Sequence, residues 1–162
     1  MRMLSTLVLV TMLSGFVVPA AFAEASVPAA KKGCKYLKVS EVTRITGKEF
    51  KKGKPPSAPG PIAVCGYEAV GEVGTGVYLW VDKTDIADDG FKGAEAAFDK
   101  DGVEVDGFGK HALYIGDGLN TLYVLRGGTL VYVQYVTFGG DSDPATVRDA
   151  VEKITKIVLR RV

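Results

Sequence analysis

Between Gly107 and Phe138 apolar positions recur with a period of two, broken twice by turn residues: GFGKHALYIGDGLNTLYVLRGGTLVYVQYVTF. This pattern predicts a three-stranded antiparallel meander. Gly127-Gly128 supplies the positive φ angles of a tight hairpin turn, which sets Arg126 against Thr129, Val124 against Val131 and Leu122 against Val133. Leu125 then meets Leu130, Tyr123 meets Tyr132 and Thr121 meets Gln134. A second two-residue turn at Asp117-Gly118 predicts Ile115 opposite Asn120, Tyr114 opposite Thr121 and Leu113 opposite Leu122. With a three-residue bulged turn instead, the first strand slips by one and Tyr114 changes face. In the two-residue register Leu113, Ile115, Leu122, Val124, Val131 and Val133 form an aliphatic core face, with His111 at its start. Ala112, Tyr114, Thr121, Tyr123, Tyr132 and Gln134 form a mixed outer face.

The same reading places two further strands at residues 62–70 and 75–82, joined by the loop Gly71-Glu72-Val73-Gly74. In the second of them Val77, Leu79 and Val81 point inward, and Tyr78 and Trp80 join the mixed face. Three helices complete the pattern. A short one has Ser40 as N-cap, Val42 and Ile45 on one side and Gly47 as its stop. A second covers residues 85–99, with Phe91, Ala94 and Phe98 spaced on one face. The third opens with Asp143 as N-cap and Pro144 at its first position, and carries the stripe Val147, Ala150, Val151, Ile154 and Val158. Val103 to Val105 is a short strand or extended lead. Residues 48–61, KEFKKGKPPSAPGP, are too rich in Pro and Gly for a helix or a central strand and form an exposed loop. The expected fold is α+β: an antiparallel sheet of about five to six strands, with three helices mainly on one face.

Composition changes this picture in three ways. Arg2, the apolar run from Leu4 to Val18 and Ala21-Phe22-Ala23 match a secretory signal, residues 1–23, cut before Glu24. Residues 24–33 are then a flexible lead-in and 34–162 a single domain in an exported protein, periplasmic or secreted. The apolar run is followed by a cleavage pattern rather than a stop-transfer one, so no stable membrane insertion is expected after the cut. Basic and acidic residues number 20 and 19, and Arg2 leaves with the signal. The remaining balance argues against nucleic acid as a partner. The two cysteines, Cys34 and Cys65, are read as one structural disulfide rather than a redox pair, which would favour Cys-x-x-Cys spacing.

Candidate chemistry is sparse. His111 is the single histidine, so neither a Ser-His-Asp set nor a zinc site has enough partners. Asp99-Lys100-Asp101-Gly102 resembles part of a calcium loop but lacks its first ligand and closing Glu. Asp141-Ser142-Asp143 and Asp85, Asp88 and Asp89 suit helix starts. The glycines of residues 71–76 and 107–109 do not follow a phosphate-binding order. No metal and no cofactor is expected, and the chain is not read as an enzyme. The candidate binding residues are Tyr78, Trp80, Tyr114, Tyr123, Tyr132 and Gln134 on the mixed face, since such side chains join apolar area to a polar tip.

Cys34-Lys35-Tyr36-Leu37 with Glu41 and Gly47, Cys65-Gly66-Tyr67, and Gly107-Phe108-Gly109-Lys110-His111-Ala112 together resemble a domain-of-unknown-function family frequent among secreted actinobacterial lipoproteins. The resemblance implies an antiparallel sheet-and-helix fold and no particular activity. The lipid-attachment Cys of that family is missing after the leader. The leading functional expectation is a non-catalytic binding domain that engages a protein or envelope component through the aromatic face. Two alternatives are a carrier of a small apolar ligand, held between the last helix and the sheet behind Leu122, Val131 and Ile154, and a hydrolase using Glu68 with Asp82.

Overall fold

The structure is a computed structural model that describes residues 33–57, 60–98, 103–108, 111–115, 120–138 and 143–162. The expected signal sequence, nearly all of the expected lead-in, the Asp117-Gly118 turn, Asp99 to Gly102, Gly109-Lys110 and Asp141-Ser142 lie outside the described residues.

The fold is α+β. Strands β1 (Ala63–Glu68), β2 (Gly76–Asp82), β3 (Val103–Glu104), β4 (Ala112–Ile115), β5 (Thr121–Arg126) and β6 (Thr129–Val136) form one sheet in the order β1-β2-β6-β5-β4-β3. All neighbours are antiparallel. The helices are α1 (Val39–Thr46), α2 (Ala87–Phe98) and α3 (Pro144–Leu159), with a single 3₁₀ turn at Gly33–Lys35 ahead of them. Among the described residues no helix is long and apolar enough to cross a membrane.

The β5–β6 hairpin turns on Gly127 and Gly128, whose φ angles of 55° and 69° are the left-handed values this turn demands. Its register is the one expected, from Arg126–Thr129 to Thr121–Gln134. The β4–β5 register is not. Ala112 lies opposite Val124, Leu113 opposite Tyr123, Tyr114 opposite Leu122 and Ile115 opposite Thr121. The strand has slipped by one residue from the two-residue-turn pairing, so Tyr114 and Ala112 belong to the core face and Leu113 and Ile115 to the other. His111 moves with them: it is exposed and lies edge-on to the Phe91 ring, 5.7 Å between centroids. The physical reason is in the strand itself. Ala112-Leu113-Tyr114-Ile115 is apolar at every position and buried on both sides, so its pattern carries no preference between registers.

The core face is covered by α1 and α3. Val77, Leu79, Leu122, Val124, Val131 and Val133 meet Val42, Val147, Val151, Ile154 and Val158 in one buried cluster. The apolar stripe expected of α3 is buried throughout. Asp143 caps that helix by accepting the Thr146 N–H at 3.1 Å, and Pro144 occupies the first turn. The α1 start differs from expectation. Lys38 holds the N-cap position and Ser40 lies inside the helix, while the Glu41 carboxylate accepts the Lys38 N–H at 2.9 Å. Gly47 ends α1 in the left-handed conformation, as expected.

Cys34 and Cys65 are disulfide-bonded, which ties the 3₁₀ turn to β1. Tyr67, on the same face of β1, donates its hydroxyl to the Leu37 carbonyl. At the far end of the chain the Arg161 guanidinium makes a bidentate pair with Glu41, at 2.7 and 2.8 Å. The short α1 is therefore held by the staple, by Tyr67 and by the end of α3.

Helix α2 lies on the opposite face. Phe91 packs with Leu113 and Ile115, against Ala94, Tyr123, Leu125 and Leu130. It roofs β4, β5 and the start of β6 on that face.

Candidate functional site

The register builds the candidate site. On the face opposite the main core, Trp80 of β2 is paired with Tyr132 of β6, and Tyr132 with Tyr123 of β5. The rings stack in the same order: 4.2 Å separates the Trp80 and Tyr132 centroids and 4.6 Å those of Tyr132 and Tyr123, each pair tilted. Offset and tilted contacts at such separations are the favourable geometry for aromatic pairs. Tyr78, two residues before Trp80 and 6.1 Å from it by ring centroids, extends the array. Gln134 sits opposite Tyr78 and accepts the Tyr132 hydroxyl at 3.2 Å. All five side chains are half-buried.

Two glycines make room for Tyr78. A side-chain carbon on Gly66, its partner on β1, would come within 3.3 Å of the Tyr78 ring, and one on Gly76 would come within 3.0 Å of its hydroxyl. Tyr78 thus lies over bare backbone, in the way aromatic side chains cover glycines within sheets.

Of the six expected residues the structure unites Tyr78, Trp80, Tyr123, Tyr132 and Gln134. It removes Tyr114, which is buried on the core face. There its hydroxyl donates to Glu152 at 3.0 Å, and the Arg148 guanidinium lies 5.4 Å from its ring centre. Burial, together with the hydrogen bond to the Glu152 carboxylate, raises the Tyr114 phenol well above its ordinary value. On the exposed side, burial beneath its neighbours raises Tyr132 to about 12 and also raises Tyr123.

Sequence patterning missed the role of residues 48–57. This segment is more than a solvated loop, because it straps the outer edge of β1. Lys54 and Gly66 exchange both backbone hydrogen bonds at 2.9 Å, and Lys51 N–H donates to the Glu68 carbonyl at 2.9 Å. Phe50 is buried opposite Ala69. Phe50 is the one large apolar residue in a run of Lys, Gly and Pro, and that is the signal that marked the segment as packed. Gly53 is required by contact: a side-chain carbon there would lie 2.6 Å from the Cys65 sulfur and from the Tyr67 ring.

Strap and ring face enclose a groove of about 360 Å³. Val64, Tyr78 and Trp80 form its apolar floor and Lys51, Lys52 and Lys54 its basic side. Among the described residues Glu68 is the one carboxylate in that lining, and it is ion-paired with Lys51 at 3.4 Å. Because the strap occupies the β1 edge, a partner here meets side chains rather than an open row of backbone donors and acceptors.

The acid pair Glu68 and Asp82 is not brought together. Glu68 lies opposite Gly76 at the start of β2 and Asp82 ends that strand, which separates them by roughly 20 Å at the rise of an extended chain. The Asp82 carboxylate accepts the Thr84 N–H at 2.8 Å. Among the described residues no three His, Cys, Asp or Glu side chains are grouped as metal ligands. Leu122, Val131 and Ile154 are fully buried in the core and line none of the four grooves formed by described residues within 107–160, 51–80, 44–160 and 51–78.

No family model, curated protein or solved structure matches the chain.

Proposed function

We propose that this chain is an exported, non-catalytic binding domain that engages a protein or envelope component through Tyr78, Trp80, Tyr132 and Tyr123. The observation that carries this reading is the uninterrupted aromatic row across β2, β6 and β5, left half-exposed while the opposite face is sealed by α1 and α3. Rings of this kind offer large contact area at little cost in side-chain freedom and concentrate binding energy where they cluster. The adjoining lysines favour a partner with negative groups beside its apolar part. The export pattern and the resemblance to a secreted family support a partner outside the cytoplasm.

The test is co-sedimentation of the protein with an isolated cell-envelope fraction, comparing the unaltered chain with a Trp80→Ala, Tyr132→Ala double variant. Loss of co-sedimentation at an unchanged circular-dichroism spectrum supports the proposal. Equal retention of both proteins removes the aromatic row from consideration.

A further inference from the structure

A groove of about 770 Å³ lies away from the ring face, between the last turns of α3, the end of β5 and Gly107-Phe108. Its apolar lining is Leu159 and the nearly buried Phe108, with Leu125, whose side chain packs toward α2, at its border; its polar lining is Arg126, Lys156 and Arg160. No carboxylate among the described residues lines it. Three cations drawn from two elements converge here, and they are not equivalent. Lys156 lies 5.1 Å from the Phe108 ring centre and pairs with Glu152 at 3.5 Å. Arg126 and Arg160 are exposed and make no ion pair with any described residue.

The negative end of the α3 dipole accounts for cations on the helix's own last turns, Lys156 and Arg160. It does not account for Arg126, which arrives from the β5–β6 hairpin. Arg126 shares the face of Leu122 and Val124 by strand alternation, at the position where the core would continue if α3 were longer. A guanidinium there, lining the same groove as a second one, offers donors that match the planar two-oxygen geometry of a phosphate or carboxylate. The volume falls within the range of small-molecule sites.

We infer that this groove binds a small anionic amphiphile, its phosphate or carboxylate head between Arg126 and Arg160 and its apolar body along Phe108 and Leu159. This differs from a ligand buried behind Leu122 and Ile154, where the core is filled. It also uses none of the residues of the aromatic row.

Calorimetric titration of the whole chain with octyl phosphate, kept below its micelle concentration, tests the inference. Octyl phosphate is expected to bind at least about tenfold more tightly than either octyl glucoside or inorganic phosphate, because each of those lacks one half of the match. Arg126→Gln and Arg160→Gln are each expected to weaken binding by about tenfold, the scale of one charge-assisted hydrogen bond. Both side chains are exposed, so melting should not move. Octyl glucoside binding as tightly as octyl phosphate would overturn the inference, as would indifference to both substitutions. Binding confined to anionic phosphatidylglycerol vesicles, with none to monomeric octyl phosphate, overturns it in favour of membrane docking.

Discussion

The two faces of this sheet are made from the same strands yet are built by different rules. On the core face Val77, Leu79, Leu122, Val124, Val131 and Val133 are all at 0% exposure beneath α1 and α3. On the other face α2 covers β4, β5 and the start of β6, and the rings of Tyr78, Trp80 and Tyr132 are held by one another and by strap and glycine contacts. A core residue therefore has close neighbours on all sides, whereas a ring residue has neighbours in its row and solvent above. The difference separates stability from the proposed recognition: the first face is expected to hold the fold, and the second to tolerate change without losing it.

The sharpest way to break that separation is to truncate one residue on each face. Leu122→Ala removes a fully buried side chain and leaves a cavity, with an expected loss of about 4 kcal/mol. Trp80→Ala removes a larger but half-exposed side chain, with an expected loss of about 1–2 kcal/mol. Urea unfolding of the two variants gives the comparison directly. If Trp80→Ala proves the more damaging, the ring face is a second core and its availability for a partner is lost.

The staple comes next in size. Cys34 and Cys65 are separated by 31 residues, and closing such a loop limits the unfolded chain by roughly 3 kcal/mol. The Cys34→Ala, Cys65→Ala variant should unfold at correspondingly lower urea, with the ring-face fluorescence of Trp80 unchanged before the transition. A large change in that fluorescence in the folded variant would mean that the strap, which packs on Cys65 through Gly53, is placed by the disulfide rather than by its own backbone pairing to β1.

Most of the architecture was legible because its signals are local. Gly127-Gly128 dictates the hairpin, the Val77-Leu79-Val81 alternation sets the β2 face, and Asp143-Pro144 starts α3. The β4 register was illegible because every residue from Ala112 to Ile115 is apolar and both sides of the strand are buried. What settles it is tertiary. Tyr114 reaches Glu152 on α3, and Leu113 and Ile115 reach Phe91 on α2. The candidate site was visible as a set of aromatic residues whose parity was fixed on β2, β5 and β6 but not for Tyr114 on β4, and the strap that walls its groove was not visible, since Pro- and Lys-rich segments read as solvated loop. The groove beneath Arg126 had no sequence signal, because it is formed by the end of α3, a hairpin and a loop distant in the chain.

A smaller effect probes the core side. The Arg161 guanidinium beside Glu41, with the Lys38 N–H, holds that carboxyl down at about 2. A depressed carboxyl stabilises the fold above its ordinary value near 4.5 and loses that contribution as pH falls toward 2. The pair is partly exposed, at 17% for Glu41 and 34% for Arg161, so solvent screening reduces the effect to about 1 kcal/mol. Glu41→Gln should lose this increment at pH 7 and match the unaltered protein near pH 2. Equal stability of the two at pH 7 would show that the end of α3 holds α1 by apolar contact alone.

The smallest effect distinguishes the tyrosines of the two faces. Tyr67 on the core face and Tyr132 in the ring row are both raised to about 12, in each case chiefly by burial. A raised phenol favours the fold up to pH 10 and loses that contribution as pH climbs from 10 toward 12, because the unfolded chain ionises first. The source of the burial differs, however. Tyr67 lies among core side chains and donates to the Leu37 carbonyl, while Tyr132 is flanked by Trp80 at 4.2 Å and Tyr123 at 4.6 Å. Trp80→Ala should therefore lower the pKa of Tyr132 and leave Tyr67 where it is, as read by site-labelled tyrosine NMR across the alkaline range. If Tyr132 does not move, its burial comes from the sheet and α2 rather than from the row. The rings would then be separate packed side chains instead of one continuous surface, and the proposed binding face would lose the feature that motivates it.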